Sequence, residues 1–523
     1  MKSFALTISA CLFLFIPVVK AQENWSRFYE LENPAMPGKN GSHALLAYDS
    51  GFVLLNGANC NMNTETCGGL HRLDRNGGVT SRSPFSQYFQ YQHFPAFSIL
   101  HATDGNFVTT GLESLPGGSD GDMLRMWVMK IKPDGDTLWV KNYDNPNEED
   151  EDANDILTAP NGDGYYLQGD EGQDFDHFFK SLTRINNNGD VLWKKEILNG
   201  ERYMMQGNME LLVSNDKIAM AYASGPGAGH FSTWVTLTDT LGNIAWSKRL
   251  ITQTSTILQP IVRALPSGNM LVFCSPDTII FPDQFPLIPY FYEIDTQGVI
   301  VREGHLSSID KTQHVLQMRI SEDGNILICG RYIDHITDKQ SNWVAKVDLA
   351  TWQPIWQRFY ALPQHITTNL YGGFIDVVET PWGGLACAGK VAYPMSGGGA
   401  VDDIDAWVIT LDNEGCFKPG CSNGTYTILD AKEPVSMLSN ERFLISPNPA
   451  SEQVEIKRLT DSDRQDVDIQ LYNLWGETVS SVLLPKGDRV AILDLLHLPA
   501  GPYFLQCYSD GHLAQSGMVF KIN

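Results

Sequence analysis

The sequence predicts an all-β protein: a seven-bladed β-propeller followed by a small Ig-like antiparallel β-sandwich. Three observations lead there. A hairpin-bearing segment recurs seven times over residues 22–421. Nine of the 12 tryptophans fall into two columns of that repeat. The last 80 or so residues break the repeat and read as short strands between Pro, Gly and Asp turns. Composition agrees, because 46 Gly and 27 Pro supply turns, and 43% hydrophobic with only 19% charged residues is globular rather than disordered.

The repeat is clearest in WVMKIKPDGDTLWVKNY from 127, SLTRINNNGDVLWKKEI from 181 and WVTLTDTLGNIAWSKRL from 234. Weaker copies begin at 69, 290, 343 and 407. The turn glycine is Gly77, Gly135, Gly189, Gly242, Gly298 and Gly415, with Thr351 in the slot once. Steps of 58, 54, 53, 56, 53 and 64 residues give a period of about 56. Each copy reads as an alternating strand, an Asp/Asn-Gly two-residue turn and a second strand opening with Trp. Another strand pair precedes each hairpin, as in HALLAY (43–48) with GFVLLNG (51–57). Four short strands per repeat make one blade. A blade alone cannot bury both faces, whereas stacking in a closed ring buries them all.

The Trp columns are Trp127, Trp234, Trp343 and Trp407, then Trp25, Trp139, Trp193, Trp246 and Trp356. Their expected role is packing between blades; a carbohydrate-stacking platform is the alternative. WSRFY at 25–29 matches WQRFY at 356–360 but has no strand pair before it. The seventh copy meets Cys416 and Pro419 where its outer strand should begin. Residues 25–29 are therefore expected to supply the missing strand and close the ring.

The N-terminus sets the compartment. Lys2, an apolar run from Phe4 to Val19 and Val19-Lys20-Ala21 read as a secretory signal peptide, residues 1–21, cleaved after Ala21. The run is too short and too interrupted by Pro17 to span a bilayer, and no later segment is an integral membrane candidate. An exported chain meets an oxidising compartment, so Cys60 with Cys67 and Cys416 with Cys421 are expected as local disulfides. Zinc is the alternative, but neither pair has a His-x-x-His or second CxxC nearby. Cys274, Cys329 and Cys387 sit in apolar strands and read as buried thiols.

Residues 422–442 read as a polar linker, and residues 443–523 as the sandwich. Three motifs mark this last segment. Pro447-Asn448-Pro449 opens it, LYNLWG at 471–476 carries Gly476, and LPAGPYFL at 498–505 carries Gly501 and Tyr503. Lys521 lies close to the terminus. The segment resembles the type A C-terminal sorting domain of type IX secretion substrates of Gram-negative bacteria. Trp475 departs from the smaller or polar residue commoner there. The resemblance implies passage through the periplasm, then through the outer membrane, to the cell surface or medium. It implies the type IX machinery and its sorting peptidase as partners, with the domain removed and the cargo released or linked to lipopolysaccharide. Independently of the family, Pro447 and Pro449 fix an extended entry.

The formal net charge of −24 argues against nucleic acid as a partner, which requires a basic surface. Chemistry is harder to find. The acidic run 145–155, with Glu148, Glu149, Asp150, Glu151, Asp152 and Asp155, offers oxygen ligands for Ca²⁺ but lacks calcium-loop spacing and reads as a solvated loop. No cofactor is expected otherwise. Asp122, Asp176 and Asp405 precede the Trp-type strands and are candidate rim acids, with turn capping the competing role. No catalytic residue is assigned: the 12 His are scattered, and no nucleophile elbow or phosphate loop is present. KPDGDTLW at 132–139 suggests sialidase or quinone-dehydrogenase repeats only through shared turn geometry. Asp-Thr-Leu at 136–138 and 239–241 and Asp-Thr-Ile at 277–279 resemble bacterial O-glycosylation sequons. The expected function is a non-enzymatic binding module for a surface glycan or protein. The alternative is an extracellular polysaccharide hydrolase or lyase using rim carboxylates as acid and base.

Overall fold

The structure is a computed structural model and describes residues 24–30, 39–48, 50–59, 68–85, 88, 93–118, 121–143, 150–172, 178–197, 203–225, 231–254, 260–274, 290–306, 311–334, 339–361, 373–393, 403–421, 425–427, 432–436, 443–446, 450–458, 466–473, 478–509 and 512–522. The signal segment, Cys60, Cys67, Asp176, Pro447, Asn448, Pro449, Gly476 and residues 145–149 of the acidic run lie outside these. The chain divides into two compact units, Met1–Val435 and Ser436–Asn523.

The first unit is a seven-bladed propeller. Blade 1 uses Lys39–Tyr48, Gly51–Asn59, Gly69–Asp74 and Val79–Pro84, paired antiparallel in chain order from the inner strand outward. Blades 2 to 6 repeat this order, beginning at the inner strands His93–His101, Asp150–Thr158, Tyr203–Leu211, Ile261–Ala264 and Lys311–Ile320. Blade 7 has Gly373–Glu379, Leu385–Tyr393 and Asp403–Leu411, and takes its outer strand from Ser26–Glu30. The pairs Ser26↔Ile409, Phe28↔Trp407 and Tyr29↔Ala406 set that register. The expected closure is thus present. Phe28 and Tyr29 are buried in it, each contributing roughly 1.5–3 kcal/mol of apolar burial. Inner strands of neighbouring blades touch all the way round, including blade 7 with blade 1.

The turns differ from the two-residue hairpins expected. In blade 1 the Gly77 N–H donates to Asp74 O at 3.0 Å, and the Asp74 N–H donates to Gly78 O at 2.7 Å. The register then slips between Arg72 and Leu73. This is a longer loop closed by a glycine bulge, with Gly77 at φ +78°. The leading Asp explains the preference. Asp74 Oδ1 accepts the N–H groups of Asn76 and Gly78, and Asn186, Asp239, Asp295 and Asp412 do the same in their blades.

The Trp columns and the turn glycines form one device. A Cβ on Gly77, Gly189, Gly242, Gly298 or Gly415 would stand 2.6–3.1 Å from a ring atom of Trp25, Trp139, Trp193, Trp246 or Trp356 respectively. Each of these rings belongs to the preceding blade and lies on the next blade's turn. Trp25 Nε1 donates to Arg75 O at 2.7 Å, and Trp246 Nε1 to Thr296 O at 3.1 Å. Tyr29 and Tyr143 hydroxyls donate to the Gly77 and Gly189 carbonyls at 2.8 and 2.9 Å. In the other column Trp127, Trp343 and Trp407 are fully buried within the blades. Inter-blade and core packing accounts for both columns.

Residues 422–442, expected as linker, contain two short strands, Thr425–Thr427 and Lys432–Ser436. The first runs parallel to the outer strand of blade 6, with Phe359↔Thr425 in register. Cys416 and Cys421 form a disulfide with Cα atoms 5.6 Å apart. Cys274, Cys329 and Cys387 are free and buried.

The second unit is a two-sheet sandwich. Phe443–Ser446, Gln453–Arg458 and Val490–Asp494 form one sheet. Thr478–Leu484, Val467–Tyr472, Gly501–Ser509 and His512–Lys521 form the other, in that order. Strict alternation, as in Gln453–Arg458, puts Val454 and Ile456 into a core with Ile469, Leu471, Leu493 and Leu505.

Candidate functional site

The seven inner strands enclose a central cavity of about 340 Å³. Aligning the blades on the residue that opens each inner-strand turn (Ala102, Ala159, Leu212, Leu265, Ser321, Thr380) places one residue per blade four positions earlier. These are Ser98, Asp155, Asn208, Ile261, Gln317 and Asp376; in blade 1, matching Leu55 with Thr110 on the adjacent strands adds Ala44. All but Ile261 line the cavity. Two positions further on, blades 4, 5 and 6 contribute Glu210, Arg263 and Arg319. In six blades the inner strand is irregular next to this level, between Ser42 and Ala44, Pro95 and Ile99, Ala153 and Asp155, Met205 and Gly207, Val315 and Gln317, and Phe374 and Asp376. Such bulges bend a strand and re-aim its side chains.

Most of these groups bind one another. Asp155 accepts from Ser98 Oγ at 2.6 Å, Asn208 Nδ2 at 2.5 Å and the Ile156 and Met209 N–H groups at 2.9 Å. Asn208 Oδ1 accepts from Arg263 Nη1 at 2.6 Å. Arg263 also donates to Gln317 Oε1 at 2.6 Å, Met318 O at 2.7 Å and Val262 O at 2.7 Å. Arg319 grips Asp376 through Nε at 3.1 Å and Nη2 at 2.9 and 3.0 Å. Asp376 further accepts the N–H of Leu45 in blade 1 and its neighbour Val377, both at 2.9 Å. A polar belt therefore links blades 2 to 5 and 6, and a second segment links 6, 7 and 1.

Glu210 stands apart. Its only hydrogen bond among the described side chains is a long one from Arg263 Nη1, 3.4 Å to Oε2. About 30% of its side chain is exposed, into the channel. Its position deep within the ring still removes most bulk solvent, and this desolvation raises its pKa against the pull of Arg263. Desolvation likewise raises Asp155 and lowers Arg263. Arg319 is raised, because the neighbouring Asp376 carboxylate outweighs its own desolvation.

The residues singled out from sequence fall elsewhere. Asp122 lies in the third strand of blade 2, opposite Pro116. Asp405 lies in the third strand of blade 7 opposite Val391 and is buried, 2% exposed, rather than presented at a rim. Asp155, expected in a solvated acidic loop, is a buried member of the channel wall. Among the described residues no group of three or more His, Cys, Asp or Glu is placed to hold a metal ion. Asn208, Glu210, Arg263, Gln317, Arg319 and Asp376 were missed. The available signal was a polar residue four or two positions before the turn in otherwise apolar strands, visible only once the repeats are aligned on their first turn.

In the second unit, Tyr503 is buried and its hydroxyl donates to Pro499 O at 2.7 Å, tying down the LPAGPY turn. Gly501 pairs with Lys521, whose Nζ donates to Ile522 O at 2.7 Å. Ala450, directly after the Pro-Asn-Pro motif, bridges to Lys521.

Residues 444–521 match the family described as secretion system C-terminal sorting domain. The second unit is therefore a type IX secretion sorting domain, which implies export to the cell surface or medium and engagement with the secretion machinery. Among the described residues no helix is long and apolar enough to cross a membrane. No curated protein matches the chain. Similar solved structures include an α-L-arabinanase of Penicillium chrysogenum complexed with arabinobiose, 13% identical, covering 61% of this chain and 95% of that one, TM-score 0.40. Another is a protein of unknown function from Dyadobacter fermentans, 11% identical, covering 74% and 97%, TM-score 0.42. A third is a mutant of the Synechocystis apocarotenoid oxygenase, 13% identical, covering 59% and 69%, TM-score 0.38. Likenesses at this level bear on neither substrate nor chemistry.

Proposed function

We propose that the propeller is the cargo and the C-terminal unit its address. Residues 1–21 take the chain to the periplasm, and the sorting domain then carries it through the outer membrane. There it is cut from the ring near residues 422–442. Delivered outside, the ring acts as a binding module for a glycan or protein, with the central channel as its site.

The observation that carries the binding reading is how the channel carboxylates are used. Acid/base cleavage of a glycoside needs two carboxyl groups free to exchange protons, roughly 5–10 Å apart. Asp155 accepts four hydrogen bonds, and Asp376 is clamped by Arg319 and two backbone N–H groups. Glu210 alone of the three keeps an uncommitted oxygen. The buried placement of Asp405 adds no rim partner.

The test is to offer the mature chain a panel of extracellular polysaccharides and follow both retention and new reducing ends. Saturable retention without new reducing ends is expected. Release of reducing ends that disappears in Glu210→Gln would replace this reading with the hydrolase.

A further inference from the structure

We propose that residues 416–436 form a clasp that belongs to the ring, and that the sorting domain is removed beyond Ser436 with the clasp left in place. This rests on the reading of the C-terminal unit as a removable address and fixes where the cargo ends.

The first argument is what the segment holds. Cys416 and Phe417 stand where the outer strand of blade 7 would begin, and Cys416 is buried. Asn24 Nδ2, just ahead of the N-terminal strand, donates to Cys416 O and Phe417 O, each at 3.1 Å. The Phe417 ring packs on the cluster that contains Phe28, Trp356, Tyr360 and Trp407. The Cys416–Cys421 disulfide closes a short loop, and Cys421 Sγ accepts from Arg358 Nε at 3.1 Å, on the outer strand of blade 6. Thr425–Thr427 then runs parallel to that strand, in register at Phe359, Tyr360 and Ala361. Lys432–Ser436 pairs with Ser26–Glu30. The N-terminal strand therefore lies between the third strand of blade 7 and the clasp.

The second argument is which edges are covered. Blades 1 to 5 end at their fourth strand, and among the described residues a further strand is added only in blades 6 and 7. Lys432–Ser436 is outermost in its sheet, a place where Pro434, with no N–H to donate, is tolerated. An uncovered outer strand leaves N–H and C=O groups open to pairing with other chains. Cleavage ahead of Thr425 would uncover Phe359–Ala361 and Ser26–Glu30 together. Paired backbone is cut only as often as it opens, which favours a cut outside both added strands. Pairing resumes at Phe443, opposite Arg458, and the family match begins at residue 444. A cut beyond Ser436 therefore releases the whole sandwich and opens no blade. The disulfide forms in an oxidising compartment, so the clasp is set in the periplasm, before the domain is removed.

The test follows the full chain through secretion in a type IX-competent cell. The ring is recovered from the surface and the medium, and its intact mass and C-terminal peptide fix its last residue. That residue should lie from Ser436 to Arg442. A last residue before Ser436, or one within the sandwich, overturns the proposal. An uncut chain outside the cell would instead remove the cleavage reading on which the proposal rests. The clasp is read separately, by amide exchange in the full chain. Reducing the disulfide with dithiothreitol, or combining Cys416→Ser with Cys421→Ser, should speed exchange at Arg27–Tyr29 and Phe359–Ala361 about tenfold or more, with Leu167 and Gln168 of blade 3 unchanged. The reductant arm starts from folded protein, so it stands even where the double variant folds poorly. Exchange that ignores the disulfide, or that rises equally in every blade, overturns the clasp.

Discussion

The pairing of turn glycines with tryptophans of the preceding blade is testable at a single methyl group. Gly242 has φ +77°, and a Cβ there would stand 2.8 Å from Lys195 Cγ and 2.9 Å from Trp193 Cζ3. Gly268 has φ +85° and nothing within 4 Å of the same position. Alanine at either site bears the left-handed backbone cost, about 1–2 kcal/mol. Only Gly242→Ala adds an overpacking term, about 1–3 kcal/mol, because a tryptophan wedged between blades cannot swing aside. Gly268→Ala should therefore lose about 1–2 kcal/mol and Gly242→Ala about 2–5 kcal/mol. Urea unfolding of the mature chain, followed by far-ultraviolet circular dichroism, reads the difference. In a Trp193→Ala background the extra loss should shrink to what the exposed, flexible Lys195 side chain imposes, since the obstructing ring is gone. Equal losses at the two glycines, or an unchanged loss without Trp193, would refute the claim that the ring selects the glycine.

Three further outcomes are expected. Burial holds the His71 imidazole down to about 3, so the folded state binds fewer protons than the unfolded chain once pH falls below about 6.5, and stability drops by about 1.4 kcal/mol per pH unit from there toward pH 3. His71→Gln should flatten that slope between pH 7 and pH 5 in urea midpoints; parallel slopes would count against it. Arg319→Gln leaves the buried Asp376 carboxylate without its guanidinium and should cost about 3–5 kcal/mol, largely recovered by Arg319→Gln with Asp376→Asn. Phe28→Ala empties a core site against Trp407 and should cost about 3–5 kcal/mol, with amide exchange rising first at Ala406–Ile409; exchange rising uniformly instead would show that residues 26–30 do not close the ring.

The ring, its blade number and its closure were legible because each rests on a local pattern. The match between Trp25–Tyr29 and Trp356–Tyr360 is visible because both strands clamp the next blade's turn with the same two side chains. The sorting domain was legible for a similar reason, as its motifs are turns. The hairpin type was misjudged, since a Gly after Asp or Asn serves a two-residue turn and a glycine-bulge loop equally well. The channel site was hidden for a different reason. Asn208, Arg263, Arg319 and Asp376 stand about one repeat apart in sequence, and their partnership exists only after the ring closes. Asp405 reads as a rim acid because it precedes a Trp, but the strand already begins at Asp403 and carries Asp405 inside.

The division of labour between ring and sorting domain is tested most directly by where the ring goes. Cells expressing the chain with and without residues 443–523 should be fractionated, and the ring followed by mass in periplasm, outer surface and medium. The full chain should appear outside, shortened by about its last 80 residues, and the truncated chain should stay folded in the periplasm. Surface delivery of the truncated chain, or a full chain retained in the periplasm, would contradict the account.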